Sequence, residues 1–134
     1  MPRSAEGRLL RVGGGVVSNP RGGENSLKDK KFKIISNHLA ELKFPFIALL
    51  FGSYAKGIAD KHSDIDILTI GGDEKKISSE FSLFSYKIHL TPVTYEEFIH
   101  MAKSKEFTVV SEAIKNNIIL LGTEEYYRIL SNAY

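Results

Sequence analysis

The sequence predicts a mixed α/β fold, and three stretches carry that expectation. From Ser26 onward, Leu27, Phe32, Ile35, Leu39 and Leu42 recur mostly three to five residues apart, the spacing of one helix face. Phe46 to Phe51 is a continuous apolar run rich in strand formers and bounded by Pro45 and Gly52, the mark of a buried central strand. Asp64 to Ile70 is rich in β-branched residues, is polar at one edge, and ends at Gly71-Gly72.

The elements follow in order. The helix that opens at Ser26 is stopped by Pro45. After the first strand, Gly52 to Ser63 reads as a turn, a short helix over Ser53 to Lys56, and a loop. The second strand is Asp64 to Ile70. A third is expected over Ser85 to Thr91, where Tyr86, Ile88 and Leu90 alternate with Lys87, His89 and Thr91. Thr94 with Glu97 three residues on forms a capping box that opens a helix carrying Phe98, Ile99 and Met101. A helix from about Thr108 to Asn116, a short strand Ile118 to Leu121 and a terminal helix from Thr123 complete the layout. Tyr126, Tyr127 and Tyr134 either pack that last helix or face a partner.

A chain of 134 residues supports one hydrophobic core, so one domain and one site are expected. Four of the five arginines and six of the eleven glycines fall within the first 23 residues, whereas all thirteen lysines come later. That break divides a leader, residues 1–25, from a domain over residues 26–134. The leader has too few apolar residues to offset the entropy of ordering it, so flexibility is expected. Its Gly13-Gly14-Gly15 run lacks the strand, lysine and helix that a phosphate loop needs.

A formal charge of +2 predicts no nucleic-acid footprint. With no cysteine, thiolate metal sites and cysteine nucleophiles are excluded. The longest apolar run is far too short to span a membrane, and no apolar segment marks a signal peptide, so a cytoplasmic protein is expected. His38, His62 and His100 are scattered without metal-ligand spacing.

The chemistry concentrates between residues 52 and 66. Asp64 and Asp66 lie one residue apart on a strand, so both side chains project from one face and can grip a metal ion together. Mg²⁺ favours carboxylate and phosphate oxygens, which suits such a pair to holding one or two ions against a triphosphate. Gly52 and Ser53 stand where a strand turns into a short helix: glycine lets backbone approach a ligand, and the exposed amides and the Ser53 hydroxyl can donate to phosphate. Lys56 and Lys61 add flexible positive charge. Each piece has an ordinary reading as well, a turn for Gly-Ser and a solvated strand edge for Asp-Ile-Asp.

Taken together, Gly52-Ser53, ten intervening residues and Asp64-Ile65-Asp66 resemble the motif of the DNA polymerase β-like nucleotidyltransferase superfamily. Leu49 to Gly57 and Ser63 to Leu68 look like its small prokaryotic branch, the minimal nucleotidyltransferases of antitoxin type. The resemblance extends over residues 27–125 and is strongest over 49–70. It implies a palm-like short mixed sheet with helices beside it. It also implies Gly52 and Ser53 as holders of the β and γ phosphates, and Asp64 and Asp66 as Mg²⁺ ligands. The implied reaction is attack by a hydroxyl on the α phosphate of a nucleotide, commonly ATP, with pyrophosphate leaving.

Active relatives usually carry a third carboxylate on a neighbouring strand, and the stretch Tyr86 to Thr91 offers Lys87, His89 and Thr91 instead. His89 can serve as a base or metal ligand, or simply hydrogen-bond at the sheet surface. Glu96 and Glu97 follow that strand, and Glu97 is already explained by the capping box. Two functions are therefore expected. One is an enzyme transferring AMP to a hydroxyl on a partner, which the resemblance suggests is a tyrosine of an all-helical toxin of the HEPN type. The other is a nucleotide-binding antitoxin module without useful turnover. A chain this small has no separate substrate domain, so a partner or a homodimer must complete the acceptor pocket.

Overall fold

The computed structural model describes residues 26–133; the expected leader, with its Gly13–Gly15 run, and Tyr134 lie outside the described residues. The chain divides into two units, Met1–Ile34 and Ile35–Tyr134. The described part of the first is the opening of helix α1 (Ser26–Ala40), where Lys31 Nζ stands 5.7 Å from the centre of the Phe32 ring. The second unit carries the sheet and the remaining helices.

Strands β1 (Ile47–Phe51), β2 (Ile65–Ile70), β3 (Ile88–Val93) and β4 (Ile118–Leu121) form one sheet in the order β3-β2-β1-β4. β1 runs antiparallel to β2 and β4, while β2 and β3 are parallel, so the sheet is mixed. The helices are α2 (Ser53–Lys56), α3 (Glu74–Phe81), α4 (Tyr95–Lys103), α5 (Val109–Lys115) and α6 (Thr123–Ala133). The α/β class expected from the sequence is the class observed.

Central strands are apolar on both faces because both are covered. Ile47, Leu49 and Phe51 of β1, Leu68 and Ile70 of β2 and Val93 of β3 pack against α4, α5 and α6 through Phe98, Val110, Ala113, Tyr126 and Ile129. Tyr126 meets Phe98 edge-on at 6.3 Å and accepts a hydrogen bond from Asn117 Nδ2 at 3.3 Å. Tyr127, by contrast, is exposed. Ala48, Leu50, Ile67 and Thr69 alternate to the other face. Ile35, Leu39, Ile77 and Phe81, buried but outside the first cluster, belong to α1 and α3. There Ser36 Oγ donates to the Leu120 carbonyl at 2.5 Å, and His38 Nδ1 lies 3.2 Å from Glu80 Oε2, tying α1 to α3.

Three elements differ from the sequence expectation. The first helix ends at Ala40 rather than near Leu42. The third strand begins at Ile88 rather than Ser85, and just before it Phe84 and Tyr86 stack on each other at 5.9 Å. It continues through Pro92, which an edge strand tolerates since its outer side needs no N–H donor. Helix α3 has no counterpart in that expectation: Asp73 caps it by accepting from the Lys75 and Lys76 amides, but only Ile77 and Phe81 give it a buried face. The capping boxes at Thr94 and Thr108 close as hydrogen-bonded pairs with Glu97 and Ser111.

Thr69 is 1% exposed, and its Oγ1 finds no hydrogen-bond partner among the described residues. Replacing it with valine keeps the volume and removes an unsatisfied hydroxyl, so Thr69→Val is expected to stabilise the domain by about 1 kcal/mol. Urea unfolding checks this; a loss of stability would mean that the hydroxyl is engaged. Tyr95 rests on Gly71, and burial, then the nearby Glu125 charge, push its hydroxyl above the ordinary value of 10. The folded state therefore keeps that proton longer than the unfolded one. The stability linked to it is complete below pH 10 and is lost as pH rises through the folded value. Tyr95→Phe should flatten the alkaline fall in the urea midpoint relative to the wild type.

Candidate functional site

The residues singled out by sequence meet at one end of the sheet. β1 ends at Phe51, which pairs with Asp66 on β2. Gly52 then takes φ 76°, ψ −149°, a conformation closed to most side chains. A Cβ at Gly52 would collide with Asp66 Oδ2 and lie 3.2 Å from its Cγ. Only a bare backbone permits the turn to lie against the carboxylate.

The ten residues between Ser53 and Asp64 set the phase of the second strand. α2 takes one turn, with the Lys56 amide donating to the Gly52 carbonyl at 3.1 Å, and Gly57 ends it in the left-handed region. Asp60 folds the rest of the loop: its Oδ1 accepts from the His62 amide at 2.8 Å, and its own amide donates to Ser63 Oγ at 3.0 Å. The chain then enters β2 with Asp64 and Asp66 on the face that also carries Leu68 and Ile70. Further along, that face is closed by helices; at the carboxylates it is open, with the Asp66 side chain 26% and the Asp64 side chain 52% exposed.

The parallel register places His89 of β3 opposite Asp66, and His89 Nδ1 lies 3.3 Å from Asp66 Oδ1. Asp66 thus sits between the Gly52 backbone and the His89 ring. Asp64 has its own basic neighbour, Lys87 Nζ, at 3.4 Å. Lys56 turns to α5, where its Nζ lies 3.5 Å from Glu112 Oε2. Sequence spacing carries no signal for that pairing, since Glu112 approaches only through the packing of α5. Ser53 is half-buried at the start of α2, while Lys61 is exposed in the loop.

The donor set fits a hard divalent cation. Two carboxylates stand two residues apart on one open face, beside a turn whose glycine admits a close neighbour. Among the described residues no group of three or more His, Cys, Asp or Glu side chains gathers to hold a metal ion. An ion here would draw on two carboxylates and take its other oxygens from water or a phosphate, an arrangement Mg²⁺ accepts readily. No helix among the described residues is long and apolar enough to cross a membrane.

A chain similar to this one occurs in the crystal structure of a toxin-antitoxin with AMP-PNP, at 19% identity and a TM-score of 0.50. That match covers 75% of this chain and 81% of the other, and it supports the fold. No curated protein matches the sequence. The family described as Polymerase beta, Nucleotidyltransferase matches residues 33–126, a span that contains the Gly52-Ser53 turn, both aspartates and His89. By that match over most of its length, on a mixed sheet that brings Gly52 against Asp66, the chain belongs to the polymerase β nucleotidyltransferase family.

Proposed function

We propose that the protein is a Mg²⁺-dependent nucleotidyltransferase that transfers AMP from ATP to a hydroxyl on a partner protein. The observation that supports this reading is the close approach of Asp66 to Gly52, which sets a carboxylate against a glycine turn suited to phosphate. In it, Gly52 and Ser53 hold the terminal phosphates with backbone amides and the Ser53 hydroxyl, while Asp64 and Asp66 hold the cation. Bound Mg²⁺ supplies Lewis-acid polarisation of the phosphoryl oxygens and neutralises the charge that develops as pyrophosphate leaves.

The chain's own residues supply alignment. His89 orients Asp66 through its Nδ1, and a neutral imidazole beside the site can accept the proton of the attacking hydroxyl. Lys56, tethered to Glu112 and half-exposed, holds positive charge beside the phosphate turn. The acceptor comes from outside, since the described residues build no separate substrate domain. A toxin partner, all-helical and of HEPN type, is the acceptor we favour over a second copy of this chain. The similar chain from a toxin-antitoxin structure with AMP-PNP supports both the partner and the nucleotide in this reading. The setting we propose is the cytoplasm.

One observation favours a second reading. The β3 position that faces Asp66 holds His89 rather than a third carboxylate. A binding module that takes up Mg·ATP with little turnover would have this composition.

Incubation with α-labelled ATP and Mg²⁺, alone and with the co-purified partner, separates the two. Transfer is expected onto the partner, with a fall of about two orders of magnitude in Asp64→Asn/Asp66→Asn. Mg-dependent ATP binding without any transferred label would instead favour the binding module. Gly52→Ala is expected to destabilise the domain by about 1–2 kcal/mol through its backbone conformation and to weaken ATP binding at least about tenfold by displacing Asp66. Retention of wild-type affinity in that variant would remove the turn from the site.

A further inference from the structure

Each candidate metal ligand faces a basic side chain across the β2–β3 pair. The Ile65 amide donates to the Lys87 carbonyl at 2.8 Å, and the register matches Ile65 with Ile88 and Asp66 with His89. Residues 64 and 66 therefore meet residues 87 and 89 on one face, as two successive acid–base rungs. The Asp64–Lys87 rung is 3.4 Å and the Asp66–His89 rung 3.3 Å.

The two rungs differ in what they can do. Lys87 is 79% exposed and Asp64 52% exposed, so their pairing adds little to stability and exchanges freely with solvent. A lysine ammonium is a point charge with three donors on a flexible stem, able to follow a new anion. Lys56, on α2 next to the turn, is already drawn toward Glu112, and Lys61 is exposed in the loop that follows. Among the described residues, Lys87 is a lysine whose present partner is a carboxylate that an arriving metal ion would claim.

We propose that Lys87 is a triphosphate-binding residue that exchanges partners as the site fills. In the free protein its ammonium neutralises Asp64; when a nucleoside triphosphate enters with its divalent ion, Asp64 turns to the ion and Lys87 pairs with phosphate oxygens. The proposal rests on the reading of Asp64 and Asp66 as metal ligands and adds a consequence to it. A divalent ion arriving alone must displace an ammonium that then has no anion to receive it, whereas one arriving with a triphosphate brings that anion along. Ion and nucleotide thus bind with positive coupling, and Lys87 is the side chain that couples them.

Two binding measurements on the full chain test this: Mn²⁺ alone by electron paramagnetic resonance, and Mg·AMP-PNP by calorimetry. The variants are Lys87→Gln, Lys87→Arg and Asp64→Asn, each with its thermal midpoint recorded as a check on folding. Lys87→Gln should bind Mn²⁺ alone several-fold more tightly and Mg·AMP-PNP about tenfold more weakly, the size expected for one charged hydrogen bond. Lys87→Arg should stay near the wild type in both. If Asp64→Asn abolishes nucleotide binding while Lys87→Gln leaves both affinities unchanged, the partner exchange is overturned and the metal site stands. If the wild type binds no nucleotide, or Asp64→Asn binds it as the wild type does, the site reading fails and the exchange fails with it.

Discussion

Phe51 pairs with Asp66 across the β1–β2 ladder, and the geometry of the site depends on that register. It brings the end of one strand beside the second residue of the other, so the chain leaving β1 must turn against the Asp66 carboxylate. A glycine at positive φ is what makes the turn possible, and the Oδ2 of Asp66 occupies the space that a side chain at position 52 would need. A slip of one residue would send Asp64 and Asp66 to the opposite face of the sheet. Such a slip would carry the Asp66 carboxylate into the face where Ala48, Leu50 and Ile67 are fully buried, and the cost of burying that charge holds the ladder in register.

The two carboxylates are differently embedded, the Asp66 side chain 26% and the Asp64 side chain 52% exposed. Asp66 is held by the ladder, the Gly52 turn and His89. Asp64 lies just before β2 and is held by little more than an exposed lysine. On the proposed reading, Asp66 is the more constrained of the two carboxylates and Asp64 the more exposed. His89, rather than a carboxylate, faces Asp66, and Lys87 adds positive charge beside Asp64. On the proposed reading, this balance leaves the negative charge of an arriving nucleotide to complete the site.

Much of this was legible in the sequence because the informative features are local. The run Phe46–Phe51 between proline and glycine, the alternation at Asp64–Asp66, and the Thr94–Glu97 box each state their own conformation, and each appears in the structure within a residue or so. The opposition of Asp66 and His89 was foreshadowed by the alternation in the third strand, although the strand itself begins at Ile88. What was illegible was non-local or thinly encoded. Helix α3 buries only Ile77 and Phe81, four residues apart on one face, amid lysines, serines and glutamates, so its apolar content is low for a packed helix. The Lys56–Glu112 pair and the stacking of Phe84 on Tyr86 arise from packing that no spacing rule reports.

On the proposed reading, Gly52, Ser53, Asp64 and Asp66 together hold a divalent ion and a nucleotide. Line broadening of backbone amide resonances by Mn²⁺, titrated in the presence of AMP-PNP, tests it most directly because it locates the ion in solution without requiring turnover. Selective loss of the signals of Gly52, Ser53 and residues 64–66 is expected, with Lys87 and His89 close behind and α6 unaffected. Broadening centred elsewhere, or none at a saturating concentration of nucleotide, would contradict it.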